Sequence, residues 1–304
     1  MRKTELVFVL IALFFLGISG LNLVKVPEKL NIINVHPKSS KDIIQVTIPN
    51  VKPVLYDSLL IDVFATTQQR KQQFVNQVLP AILIAQYDIS HKSKKVERLI
   101  KKLEKNIKLS AVEIAFADSL MELYRAKSYE NLLVRLKPHP TSLVLAQAII
   151  ESGWGMSRFA TEGNNLFGVW SVSGDKNAQK SMFDRGDQKI FVKKYPSIAE
   201  SVNHYYLTIG RHNAYRNFRQ KRYHTDDVFE LISLLDKYSE NGEAYTTMLK
   251  KVIEWNNLTQ YDECVIDSEY INHNTLLEIY IEKIQIKLSL YLIKSKVFKN
   301  ETNT

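Results

Sequence analysis

Apolar residues recur at helical spacing through much of the chain, beginning near Thr67. Across residues 67–88, Phe74, Val75, Val78, Leu79 and Ile82 keep a helical period and predict a helix. Pro80 is expected to kink that helix or divide it in two, because proline lacks the amide hydrogen and crowds the preceding turn. Residues 92–107 set Val96, Leu99, Ile100 and Leu103 against a strongly basic face, the pattern of an amphipathic surface helix. Residues 111–125 predict another amphipathic helix, and Lys137-Pro-His-Pro140 then interrupts the pattern. Thr141 or Ser142 is expected to cap the next helix, which runs to Glu151 and is stopped by Gly153 and Gly155.

The period then changes. Met182-Phe183, the turn-like Asp184-Arg185-Gly186-Asp187 and the alternating Lys189-Ile-Phe-Val-Lys-Lys-Tyr195 predict a short β-hairpin. Ser197-Ile-Ala-Glu200 has the form of a capping box opening a helix through about Arg211. Two further helices are expected near residues 226–236 and 244–255. Residues 26–53 carry Pro27, Pro37, Pro49 and Pro53 without a sustained period and read as a linker or loosely held arm. The closing residues, from about 267, fit either a helix or strands.

Composition narrows the classes. Hydrophobic residues make up 45% and charged residues 24% of 304, ordinary proportions for a globular protein. A net charge of +9 and a pI near 9.3 favour an anionic partner: a cell-envelope polymer, a membrane surface or nucleic acid. No zinc-finger, P-loop or RNA-binding signature is present, so no nucleic acid is expected. The single cysteine, Cys264, allows no intramolecular disulfide. Arg2 and Lys3 precede an apolar run from Leu6 to about Ile18, followed by Ser19-Gly20. That order predicts export, with residues 1–24 either a cleaved signal peptide or an uncleaved membrane anchor. His204, His212 and His224 share no ligand-like spacing with a carboxylate cluster, so neither a metal nor a cofactor is expected.

The candidate chemistry centres on Glu151. Gln147 and Glu151 stand four residues apart and share a helix face. Glu151 lies near the helix C-terminus, where the macrodipole disfavours negative charge, and partial burial acts in the same direction. Both raise its pKa and suit a group that holds a proton near neutral pH and delivers it. From spacing alone, a solvated glutamate at a helix end fits as well.

The residues around Glu151 add to this. Glu-Ser-Gly-Trp-Gly, followed by Asn-Asn-Leu-Phe-Gly ending at Gly168, resembles the A-Q-x-x-x-E-[ST]-G-W-G…N-N-L-F-G segment of the glycoside hydrolase family 73 glucosaminidases, particularly their Bax-type branch. Lys71-Gln-Gln-Phe-Val-Asn-Gln-Val-Leu-Pro80, the segment from Tyr195 to Tyr206 and His212-Asn-Ala-Tyr-Arg216 are similar to its flanking elements. The resemblance covers about residues 67–257. It implies a mainly α-helical, lysozyme-like domain with a small β-hairpin lobe and a cleft for a β-1,4-linked N-acetylhexosamine chain. The organisation expected is 1–24 signal or anchor, 25–66 linker or arm, 67–260 glucosaminidase domain and 261–304 a C-terminal extension of unknown role.

Under this resemblance Glu151 takes the family's place of general acid. Gln147, Trp154, Asn165, Phe167 and Tyr238 are the candidate substrate-binding residues. Trp154 and Phe167 fit core positions equally, and Asn165 fits a plain turn. Tyr238 lies in Lys237-Tyr-Ser-Glu-Asn-Gly-Glu-Ala-Tyr245, similar to a Y-A-T-D-P-x-Y segment but without its Pro and Asp and one residue longer. A second carboxylate is usual for glycosidases. Asp187 is the first candidate and Asp184 the second, Glu162 lies closer to the helix, and the substrate's acetamido group is an alternative nucleophile. The expected partner is peptidoglycan or a related N-acetylhexosamine glycan, with possible inner-membrane attachment through the N-terminus and a periplasmic location. The expected activity is a β-N-acetylglucosaminidase; a non-catalytic glycan binder or assembly protein and a lytic transglycosylase are the alternatives. The Asn-Asn-Leu-Phe-Gly segment, in place of the Gly-Leu-Met-Gln type found in transglycosylases, favours hydrolysis.

Overall fold

The structure, a computed structural model, describes residues 29–171, 178–180 and 191–272. The expected signal or anchor, the tip of the hairpin and most of the closing segment lie outside the described residues. In a small unit at the chain ends, strand β1 (Lys29–Leu30) pairs antiparallel with β9 (Ile271–Asn272). The main unit comprises Ile32–Ser268.

Its N-terminal part was expected as an arm, yet Val51, Val54, Tyr56 and Leu59 are buried. Strand β2 (Ile33–Val35) runs parallel to β4 (Val54–Tyr56), and β3 (Asn50–Val51) runs parallel to β8 (Val265–Ile266). Amide side chains of the first helix satisfy much of the remaining backbone. Asn76 accepts from Val46 N (3.1 Å), Gln77 accepts from Leu60 N (3.0 Å) and donates to Leu60 O (2.8 Å), and Gln73 accepts from Asp62 N (2.9 Å). The segment shows no period because its ladder with itself is short and side chains of another element supply further hydrogen bonds.

That helix, α1 (Thr67–Glu104), opens on a capping box between Thr66 and Gln69. It continues through Pro80 and joins the two helices expected on either side of residues 88–92. An internal proline costs about 3 kcal/mol. Here every residue from Phe74 to Leu83 is buried, so packing on all sides offsets the lost bond.

α2 (Ala111–Tyr124) and α3 (Tyr129–Leu136) are capped by Ser110 and Ser128, and α4 (Thr141–Ser152) carries Glu151. α5 (Arg158–Gly163) leads to a three-stranded antiparallel sheet in which β7 (Phe191–Lys193) lies between β5 (Trp170–Ser171) and β6 (Ala178–Lys180). α6 (Ile198–Arg211) starts at Ser197, whose hydroxyl accepts from Glu200 N. α7 (Arg216–His224), which the sequence reading did not anticipate, is followed by α8 (Val228–Ile232) and α9 (Glu243–Trp255). A mainly α-helical domain with a small β-lobe is thus what the chain forms. Among the described residues no helix is long and apolar enough to cross a membrane.

Arginine side chains close several helix C-termini, where carbonyls lack partners and the dipole favours a cation. Arg219 donates to Ile209 O and His212 O (both 2.7 Å) at the end of α6. Arg135 donates to Tyr124 O (3.0 Å) and Gly210 O (3.1 Å), and Arg222 donates to Val134 O (2.9 Å) and Arg135 O (3.2 Å). Arg219 and Arg222 are buried.

The start of α4 departs from expectation. Neither Thr141 nor Ser142 is its cap: Pro140 holds that position and offers no side-chain bond. The Asp262 carboxylate does the capping from far along the chain, accepting from Ser142 N (2.7 Å) and Ser142 Oγ (2.8 Å). Asp262→Ala should therefore lower unfolding free energy by about 1–2 kcal/mol, read as a lower urea midpoint. An unchanged midpoint would show that the contact contributes nothing to α4.

Candidate active site

α4 is enclosed over its whole first part, with Thr141 to Ile149 all buried. Glu151, the last but one residue of the helix, is half-buried and is where the helix meets the surface. Gly153, Trp154 and Gly155 follow with φ of 58°, 59° and 76°, so the backbone leaves the helix through left-handed residues in succession. Such a conformation is costly for Trp154, and it is held by its neighbours. The Trp154 ring sits edge-on to Phe74 (centroids 5.8 Å apart), with Lys71 Nζ 4.8 Å from its centroid. A Cβ on Gly155 would lie 2.6 Å from Leu59 Cδ2, so the backbone approaches the N-terminal segment as only glycine allows. Trp154 thus braces the turn against α1.

The Asn-Asn turn is a double clasp. Asn164 Nδ2 donates to Asp57 O (2.8 Å) and Tyr195 O (3.1 Å), and its Oδ1 accepts from Leu59 N (3.2 Å). Asn165 Nδ2 donates to Val169 O (2.9 Å) and Lys193 O (2.8 Å), and its Oδ1 accepts from Val169 N (3.0 Å). Asn165 thereby ties the turn to β7. Phe167 is buried and stacks on Tyr205 at 4.3 Å. The turn then brings Gly168 (φ 63°) back to Glu151, where a Cβ would stand 3.6 Å from Glu151 Oε2. A side chain there would cover the carboxyl.

Tyrosines form the other wall. The Tyr245 hydroxyl accepts from Gln147 Nε2 at 3.1 Å and stands beside Glu151, whose pKa it lowers as a donor. The Tyr238 ring stacks on Tyr245 (5.4 Å, 13°), with Tyr215 6.1 Å further on. Burial raises the Glu151 pKa above 4.5, and the Tyr245 bond opposes that rise in part. Burial likewise pushes the Tyr215 and Tyr238 phenols up, and the charge of Glu151 adds to it. The arrangement is a carboxyl that holds its proton more firmly than a free one, with a hydroxyl donor beside it.

The structure therefore brings Glu151 and Tyr238 together and gives the other candidates different places. Gln147 is wholly buried, with both ends of its amide bonded to tyrosines, so it does not face a substrate. Asn165 and Phe167 are buried for the reasons above and hold the turn rather than line a cleft. Asp184 and Asp187 lie outside the described residues. Glu162 is exposed on α5 and accepts from Gln179 of β6. Tyr245 and Gly168 at the carboxyl were not singled out from sequence as site residues. Each was visible only as the end of a motif, Gly168 of Asn-Asn-Leu-Phe-Gly and Tyr245 of the segment that begins at Lys237. Among the described residues no group of His, Cys, Asp and Glu is arranged to hold a metal.

The site can now be set beside known proteins. Residues 126–258 match the family described as mannosyl-glycoprotein endo-beta-N-acetylglucosaminidase. The chain is 34% identical over 128 residues to Protein bax of Escherichia coli (strain K12), covering 40% of this chain and 44% of that protein. It is 32% identical over 134 residues to Autolysin of Enterococcus faecalis (strain ATCC 700802 / V583), covering 40% and 18%. The match spans less than half the length of either relative. Among solved structures, the catalytic domain of the autolysin Auto from Listeria monocytogenes aligns with a TM-score of 0.35 at 21% identity, over 55% of this chain and 97% of that one. The glycoside hydrolase domain of Salmonella typhimurium FlgJ aligns with a TM-score of 0.31 at 20% identity, over 57% and 97%. Glu151, its glycine turn and the tyrosine wall all fall inside residues 126–258, the stretch that matches this glucosaminidase family.

Proposed function

We propose that the chain is an envelope endo-beta-N-acetylglucosaminidase, hydrolysing the β-1,4 bond after N-acetylglucosamine in peptidoglycan with Glu151 as general acid. The observation that carries this reading is the Glu151 carboxyl, half-buried at the end of an enclosed helix, raised in pKa by burial and left uncovered by Gly168. Burial makes the carboxyl hold its proton more firmly than a free glutamate does. The proton passes to the glycosidic oxygen as its bond to the anomeric carbon breaks. The leaving sugar departs as an alcohol, and water supplies a hydroxyl to the anomeric carbon while its other proton passes to the second carboxylate and, through solvent, restores that of Glu151. The Tyr245 hydroxyl supports the carboxylate left behind. Asp187, or failing it Asp184, is proposed to direct the water, and Tyr238 to contact the substrate beside Tyr245. The basic flank and apolar run at the N-terminus support export, with the domain facing the periplasm. The net charge of +9 suits an anionic glycan polymer.

Digestion of purified peptidoglycan by the full chain, with mass analysis of the fragments, tests the bond. Reducing N-acetylglucosamine ends are expected. Reducing N-acetylmuramic ends would replace the reading with a muramidase, anhydro ends with a transglycosylase, and intact polymer with a binder. Glu151→Gln should lower turnover by about two to four orders of magnitude with the fold retained, and wild-type-like turnover would remove Glu151 from the acid role. Asp187→Asn and Asp184→Asn, assayed alongside, identify the second carboxylate by which one loses turnover.

The raised pKa also fixes a stability signature. A carboxyl whose folded pKa exceeds its unfolded value of 4.5 stabilises the fold fully below that value and loses the contribution as pH rises through the folded pKa. Glu151→Gln should therefore melt above the wild type at pH 7, with the gain vanishing under acid conditions. A difference in melting temperature that stays constant with pH would contradict the burial-driven shift.

A further inference from the structure

Arg222 does more than close α3. Its Nη1 lies 3.2 Å from His139 Nδ1, and His139 Nε2 lies 2.8 Å from the Tyr205 hydroxyl. The Tyr205 hydroxyl donates to Gln147 Oε1, Gln147 Nε2 donates to the Tyr245 hydroxyl at 3.1 Å, and the Tyr245 hydroxyl stands beside Glu151, whose pKa it lowers as a donor. Arg222, His139, Tyr205 and Gln147 are all buried, so a line of hydrogen bonds crosses the core from α7 to the Tyr245 hydroxyl, which stands beside the carboxyl.

The direction of the line is set at its arginine end. A guanidinium has no acceptor, so His139 Nδ1 accepts and Nε2 carries the ring hydrogen. Burial and the adjacent Arg222 charge hold His139 well below the usual imidazole range, which keeps the ring neutral and in that tautomer. The Tyr205 oxygen then accepts from His139, and its own hydrogen goes to Gln147 Oε1. That fixes the amide with Nε2 toward Tyr245, whose oxygen accepts and whose hydrogen is left for Glu151. Reversing the amide would turn the Tyr245 hydrogen toward Gln147 and leave the carboxyl without its donor. Every bond points the same way, so each polarises the next.

We propose that Arg222, His139, Tyr205 and Gln147 are positioning residues that fix the Tyr245 hydroxyl as a donor to Glu151. The proposal gives the buried imidazole and guanidinium a role at a carboxyl that neither touches. Its use in catalysis rests on Glu151 being the general acid, but the orientation itself does not. The ionisable groups facing Glu151 are Tyr245 on α9, Tyr238 before it and Tyr215 before α7. Those facing His139 are Tyr205 and Tyr206 on α6 and Arg222 on α7.

The test is the titration of Glu151 itself in the full chain in detergent micelles, carboxyl-labelled with carbon-13 at glutamate. Its resonance is assigned by its loss in Glu151→Gln. Tyr245→Phe removes the donor directly and should raise the midpoint by roughly 0.5–1 pH unit, the equivalent of one neutral hydrogen bond. Tyr205→Phe keeps the ring that stacks on Phe167 but frees the Gln147 amide, and should raise the midpoint by a similar amount. Tyr206→Phe is the control: Tyr206 is equally enclosed, but its hydroxyl accepts from Gln86 (2.9 Å) and stands outside the line, so the midpoint should not move. A wild-type midpoint in Tyr205→Phe or Tyr245→Phe, or an equal rise in Tyr206→Phe, would overturn the proposal. If Tyr205→Phe does not fold, His139→Gln, which retains an N–H donor, is compared with His139→Met, which does not. Equal midpoints in that pair would likewise overturn it. The titration needs no turnover, so loss of the glycosidase reading on peptidoglycan would leave its outcome readable.

Discussion

Helix α4 has no solvent side over most of its length, and the rest of the main unit is arranged to enclose it. Thr141 to Ile149 are buried, α1, α8 and α9 pack around them, and Asp262 closes the first turn. A helix surrounded in this way has little freedom to tilt or slide, because core packing is dense and each shift would open a void. The only route for a side chain to leave the enclosure is at its end. Glu151 takes that route, and the glycine turn beyond it removes the helix before the carboxyl can be covered. The placement of the acid is thus a consequence of packing over many residues.

The sequence made a helix legible where a strong apolar period met a cap, as at Ser197. It also marked Glu151, because a glutamate followed by Gly-Trp-Gly is rare enough to stand apart from propensity. What escaped it were interactions between distant parts of the chain. Nothing local announces that Asp262 caps α4, or that Gln73, Asn76 and Gln77 bind the backbone of the N-terminal segment. Pro80 misled for a related reason: its local cost is real, but burial on all sides overrides it. Tyr205 sits among Val202, Tyr206 and Ile209 at helical spacing and reads as an ordinary core residue. Gln147 was correctly placed on the face of Glu151, but spacing does not tell whether that face meets solvent or a tyrosine.

The basic composition also takes on a different meaning. Arg219 and Arg222 are buried against helix carbonyls, and Arg135 reaches the ends of two helices. These charges stabilise the junctions of α2, α3 and α6 and present little to a partner. The remaining positive charge is carried largely by lysines, whose flexible stems suit a repetitive, polyanionic surface better than a shaped pocket.

The residues that support α4 do not respect the borders of the family match. Asp262 and strand β8 lie past residue 258, while Leu59 under Gly155, Asp57 on Asn164 and strand β3 lie well before residue 126. Strands β3 and β8 are parallel partners, so the two flanks meet and hold the matched segment between them. The chemistry is therefore not a portable module bounded by its own homology. Grafted into another protein as residues 126–258 alone, it would arrive with its helix uncapped and its glycine turn facing empty space.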